Sequence, residues 1–134
     1  MPRLTYLSLP YSDPDHDVRD SRVREAHRAM AEMMASGDLI VCPAVMNHEA
    51  LDLLRGTTDA PGTAYWRDLE QRLASASDDL VILTLRGWDQ SRGVAREIAL
   101  FEAAGKPVRL RPPQAATLHG PRMPSAKPAR ARRS

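Results

Sequence analysis

The sequence predicts an α/β fold in which a mostly parallel sheet of four or five strands lies between layers of helices, and three observations carry that expectation. The first is the stretch DLVILTLRGWDQSRGVAREIALFEAAGK at residues 79–106. Residues 80–85 are uncharged and rich in Val, Ile, Leu and Thr, as in a strand covered on both faces. A polar turn at 86–92 follows, then a helix over 93–104 that Gly105 closes. Val94, Ile98 and Phe101 make its apolar stripe at i, i+4 and i+7. The second observation is a strand, helix, strand order near the N-terminus, which predicts parallel strands joined by a right-handed crossover. The third is length: 134 residues suffice for one core of this kind. Together they describe a three-layer α/β/α sandwich of Rossmann or flavodoxin type.

Taken in order, residues 3–9 (RLTYLSL) form the first strand, which Pro10 ends because proline has no amide donor for the ladder. A loop of turn formers, YSDPDHD, leads to a helix that Asp17 or Asp20 would cap. It runs to Ala35 with Val23, Ala26, Met30, Met33 and Met34 on its buried side. Ser36-Gly37-Asp38 stops it, and residues 39–42 make a short strand ended by Pro43. A short helix at 47–54 and a loop at 55–62 follow. Residues 63–76 are amphipathic, with Trp66, Leu69 and Leu73 at i, i+3 and i+7. After the strand and helix described first, residues 107–110 make a last strand, and Pro112-Pro113 ends regular structure.

Composition divides the chain into a domain at 1–111 and a tail at 112–134. The tail carries Arg122, Lys127, Arg130, Arg132 and Arg133 and no acid, so the rest of the chain holds −3 of the +2 total. Rich in Pro, Ala and Arg, the tail lacks the apolar surface to offset ordering and is expected to be disordered. Its charge suits nucleic acid or an anionic surface, but without interleaved aromatics a solvated terminus with no specific partner is the plainer reading. One cysteine, Cys42, excludes an intrachain disulfide and fits a reducing cytoplasm. No apolar run reaches the length of a membrane span, and no exported leader is evident.

Strand carboxyl ends in such a sheet bring residues 6–12, 42–48 and 86–97 to one edge, where ligands bind. The first segment is rich in hydroxyls: Tyr6, Ser8, Tyr11 and Ser12. The third holds Ser91-x-Gly93 at a helix N-terminus, which suits an anion through unpaired amides and the helix dipole, or simply a capping serine. His48 stands alone, and no second His, Cys or carboxylate lies at metal-ligand spacing, so neither a metal nor another cofactor is expected. Trp66 reads as core and Trp88 as a loop residue covering the cleft.

The ordered set TYLSLPYS, WRDLEQRL, SDDLVIL and GWDQSRGVAREIAL followed by GKPV resembles the nucleoside 2-deoxyribosyltransferase-like superfamily over about residues 3–110. That group includes deoxyribosyltransferases and nucleoside-monophosphate N-glycosidases. The resemblance implies that Glu97 is a carboxylate nucleophile at the anomeric carbon, that Asp68 is the acid serving the departing base, and that Tyr6 orients Glu97. It also implies that Ser91 binds a nucleotide phosphate, with Gly93, Trp88, Asp89, Ser8, Pro10, Tyr11 and Ser12 around the substrate. A small-molecule nucleoside or nucleotide substrate and a homodimer with its site near the subunit interface follow from the same resemblance. The first loop departs from the glycine- and arginine-containing loop of the N-glycosidases and is nearer that of the transferases, with Arg19, Arg22 or Arg92 as substitutes for the missing cation. VRLRPP offers no match to the transferases' subunit-crossing amide, and for that reason hydrolysis is slightly favoured over transfer, with a non-catalytic nucleotide-binding or sensing module as the alternative. Read from the residues alone, Asp68 equally suits a solvent-facing ion pair with Arg72, and Tyr6 suits core packing.

Overall fold

The structure is a computed structural model and describes residues 2–113. The elements are β1 (Leu4–Ser8), α1 (His16–Ala35), β2 (Leu39–Val41), α2 (Pro43–Leu54), α3 (Thr63–Ala76), β3 (Asp79–Leu83), a 3₁₀ turn (Trp88–Gln90), α4 (Arg92–Ala103) and β4 (Val108–Arg111). All strands are parallel in the order β2-β1-β3-β4. The chain therefore steps outward from β1 in one direction to β2 and in the other to β3 and β4. β1 and β3 flank the point where direction reverses, and helices leaving their carboxyl ends diverge to open a crevice.

Side chains alternate across the sheet, and each face has its own core. Leu7, Leu9, Val81, Leu83 and Leu85 pack with Ala26, Ala29 and Met33 of α1. Tyr6, Leu80 and Ile82 pack with Ala74 of α3 and Val94 and Phe101 of α4. β3 is buried at all five positions, the pattern of a central parallel strand, whereas β2 and β4 are edges with Leu39 and Leu110 half-exposed. The predicted three-layer sandwich is the observed one.

Local boundaries differ for identifiable reasons. Asp15, rather than Asp17 or Asp20, caps α1 by accepting from the Asp17 amide. Asp20 sits a turn further in, beside Arg24 and His48. Met34 is exposed, because the buried stripe of α1 runs through Arg19, Val23, Ala26, Ala29 and Met33 and leaves position 34 on its flank. α2 begins at Pro43, not at 47. The same ring that ends β2 has the φ of a first helical turn, where its missing N–H costs nothing. The strands at 3–9 and 80–85 are shorter at their carboxyl ends, since β1 pairs with β3 only as far as Ser8↔Ile82 and β4 with β3 only as far as Arg111↔Leu83. β3 in turn starts one residue earlier, at Asp79. Its fully buried carboxylate accepts from Thr5 Oγ1 at 2.7 Å and Arg109 Nη2 at 2.9 Å. Among the described residues, no helix is long and apolar enough to cross a membrane. The expected basic tail lies outside the described residues, apart from Pro112 and Pro113.

Candidate functional site

The site is built where β1 and α4 meet. Ser91 caps α4, its Oγ accepting from the Val94 amide at 3.2 Å, so the helix starts just beyond the end of β3. Burial of Val94 and Phe101 against the sheet, worth roughly 1.5–3 kcal/mol per side chain, fixes which face looks inward. Glu97 lies on that face, and only 8% of it is exposed. Tyr6 and Ser8, two residues apart on β1, point to the same side. Ser8 Oγ donates to Glu97 Oε1 at 2.5 Å, and Tyr6 Oη donates to Oε2. The Tyr6 ring is held edge-on by Phe101, with centroids 5.4 Å apart.

Two buried hydroxyl donors on one carboxylate favour its charged form, while burial opposes it. Burial dominates. It pushes the Glu97 carboxyl up to about 7; Ser8 and Tyr6 pull against it, Glu70 adds to the rise and Arg96 opposes it. Burial, then the adjoining Glu97 charge, raises the Tyr6 phenol well above its ordinary range, so Tyr6 remains a donor.

Glu97 stands on the wall of a cleft of about 830 Å³, within the range of small-molecule sites. The cleft lies outside the carboxyl ends of the strands, between the segment 8–12, the first turns of α4, and α2 and α3. Ser8, Pro10, Tyr11, Ser12, Ser91 and Gly93 all line it, as expected from sequence. Tyr6 is fully buried beneath and reaches the cleft only through Glu97.

Three expected site residues are elsewhere. Asp68 is on the solvent side of α3, 65% exposed in its side chain, with both oxygens 3.3 Å from Arg72 Nε. At two positions from Trp66 and one from Leu69, it points away from the face those residues present. Glu70, at i+4 from Trp66, lines the cleft instead and is held by Arg96 Nη2 at 3.2 Å. Trp88 packs on the core beneath α4, and Asp89 is exposed on the 3₁₀ turn; neither lines the cleft. The tryptophans exchange their expected places, since Trp66 is the one on the cleft wall, edge-on to Tyr65 at 4.8 Å.

Of the arginines offered from sequence as cations for a phosphate, Arg22 and Arg92 reach the cleft and Arg19 does not, while Arg55, Arg67 and Arg96 were missed. Arg22, Arg55, Arg67, Arg92 and Arg96 line the cleft against two acids, Glu70 and Glu97. Arg55 is tied to Asp52 at 3.0 Å and Arg96 to Glu70, but among the described residues Arg67 and Arg92 make no ion pair. No local pattern marks them as a group, because they come from three helices and the C-cap of α2. Among the described residues, no group of three or more His, Cys, Asp or Glu side chains could hold a metal ion. Cys42 is buried, and burial pushes its thiol up to about 12.

Fold and site together define a doubly wound α/β protein with a buried, hydroxyl-bound carboxylate at the switch-point crevice. Residues 3–111 match the model of a domain of unknown function, DUF1937, and the chain belongs to that family. No curated protein matches the chain.

Proposed function

We propose that the protein cleaves the N-glycosidic bond of a nucleoside or nucleoside 5′-monophosphate, with Glu97 as nucleophile and water favoured over a second base as acceptor. The observation that carries this reading is Glu97 itself: a carboxylate on a cleft wall, fixed at both oxygens by Ser8 and Tyr6. Such a group is oriented rather than free to rotate, and a carboxyl near 7 is divided between its two protonation states at neutral pH. In its ionised form it attacks C1′ and displaces the base, giving a glycosyl ester that water opens in a second displacement. Ser8 and Tyr6 donate to the leaving carboxylate as that ester breaks.

The arginine-rich lining favours the monophosphate. An anionic group in the cleft meets Arg92, Arg67 and the first-turn amides of α4 beside Ser91. Trp66 offers a flat apolar surface on the wall for the base. The reading implies a homodimer through the same resemblance that motivates it.

A second reading, a nucleotide-binding module without turnover, is favoured by one observation: Asp68, the acid the resemblance implies, is remote from the cleft. Both readings are tested by chromatography of free base released from ribo- and deoxyribonucleosides and their monophosphates, with and without an acceptor base. Wild type is compared with Glu97→Gln. Release that vanishes in the variant supports glycosyl chemistry. Tight nucleotide binding with no release from any substrate supports the module.

A further inference from the structure

Across the cleft from α4 lies a polar cluster that the reading above leaves unused. His48 on α2 is 5% exposed, yet both ring nitrogens have partners. Its Nδ1 is 2.8 Å from Tyr11 Oη, and its Nε2 is 3.2 Å from Asp20 Oδ1 and 4.0 Å from Asp52 Oδ2. Two carboxylates at Nε2 require a proton there, which leaves Nδ1 facing the phenol. The Tyr11 ring meets the imidazole edge-on at 5.6 Å, and its residue lines the cleft three positions beyond Ser8. A buried histidine oriented by a carboxylate on one side and touching the hydroxyl of a cleft-lining tyrosine on the other is the arrangement used to move protons in acid–base catalysis.

Resting on the glycosidase reading, we propose that Tyr11 is the acid and base of the reaction, delivering a proton from the His48 imidazolium to the departing nucleobase, with Asp20 and Asp52 positioning His48. As C1′ bonds to a Glu97 oxygen and the C1′–N bond breaks, its electron pair goes to the base. The base takes the Tyr11 hydroxyl proton, and the Nδ1 proton of His48 replaces it. His48 is left neutral, its Nε2–H still on Asp20. In the second half water attacks C1′, passes a proton through the Tyr11 oxygen to Nδ1, and frees Glu97 as a carboxylate. The net change is water consumed, with free base and sugar released.

The charge around His48 is disposed for this. The His48 hydrogen bond holds the Asp20 carboxyl below its ordinary value, helped by Arg24 and His16. Asp52, against the desolvation that opposes ionisation, is held low by Arg55, His16, His48 and Arg19. The groups facing the relay are thus Asp20, His16, Arg19 and Arg24 from α1, Asp52 and Arg55 from α2, and Tyr11 from the loop. His16 stacks on His48 at 6.2 Å and is itself 3.1 Å from Asp52. The cluster supplies the proton donor that Asp68, on the far side of α3, does not.

The test compares wild type, Tyr11→Phe, His48→Gln and Glu97→Gln on two leaving groups carried by the same sugar phosphate. One is the natural nucleobase, which needs a proton to depart; the other is 2,4-dinitrophenolate, which does not. Tyr11→Phe should slow base release by about 10²–10⁴-fold while keeping the first-turnover burst of dinitrophenolate within about threefold. Azide should then speed its slow second step, since an anionic nucleophile needs no base. His48→Gln should slow base release from the nucleotide at least about tenfold while keeping the first-turnover burst of dinitrophenolate within about threefold, and azide should speed its second step as well. Glu97→Gln should lose both reactions. Equal losses on the two leaving groups in Tyr11→Phe, or base release unchanged in His48→Gln, would overturn the relay while leaving Glu97 in place. A wild type inert on both would overturn the glycosidase reading and the relay with it.

Discussion

Replacing Glu97 with glutamine should stabilise the folded protein, and by an amount that grows with pH. An exposed glutamate ionises near 4.5, whereas burial holds the folded Glu97 carboxyl at about 7. Between those values the folded chain binds more protons than the unfolded one, so stability falls as pH rises and is level above about 7. At 1.36 kcal/mol per pH unit the whole loss amounts to about 3 kcal/mol. Glu97 is 8% exposed, so solvent screening takes little from this figure. A glutamine side chain cannot ionise and escapes the loss. Urea unfolding of the two proteins at pH 5 and pH 8 isolates the effect, because the other titrating groups cancel in the difference. Most of the loss falls between those conditions, so the variant's advantage should widen by about 2–3 kcal/mol, on the order of 10 °C in Tm. A difference that stays constant from pH 5 to pH 8 would refute the reasoning, for it would mean that Glu97 is ionised and adequately solvated in the folded state.

Ser8→Ala removes one of the donors that favour the charged carboxylate. The acid limb of kcat/KM should therefore move upward by about one pH unit or more, as read from initial rates across pH 5–9. Asp68→Asn should leave stability within about 0.5 kcal/mol and base release unchanged. Glu70→Gln, which frees Arg96 and removes a charge that raises Glu97, should shift the acid limb downward in the same measurement. Cys42, buried with its thiol pushed up to about 12, should resist a disulfide reagent in the folded protein and react on unfolding in urea. Labelling of the native protein at the rate of a free thiol would contradict that burial.

Local periodicity carried the layers of the fold and part of the site. The apolar run at 80–85, the stripe of Val94, Ile98 and Phe101, and the strand, helix, strand order define the layers and their direction, because each element must bury one face. Glu97 was legible as a carboxylate beside that stripe on a helix following a strand's carboxyl end, and its role came from the resemblance. Tyr6 and Ser8 were legible only as hydroxyls of one segment, although strand alternation puts them on one face of β1. Helical spacing also distinguishes the two acids of α3: Glu70, not Asp68, falls in line with Trp66 and Leu73.

Which groups from different elements meet was a matter of tertiary packing alone. The Ser8 and Tyr6 bonds to Glu97 span 89 and 91 residues. The Tyr11–His48–Asp20 chain joins a loop and two helices. Five arginines converge on one cleft from three helices and the C-cap of α2. From sequence Trp66 reads as core and Trp88 as a loop residue over the cleft, but which of them faces it depends on how α3 and the 3₁₀ turn pack on the sheet. The physical reason is the same throughout: spacing along the chain fixes which way a side chain points from its own element, but the element it points toward is chosen by the strand order, which a local pattern does not encode.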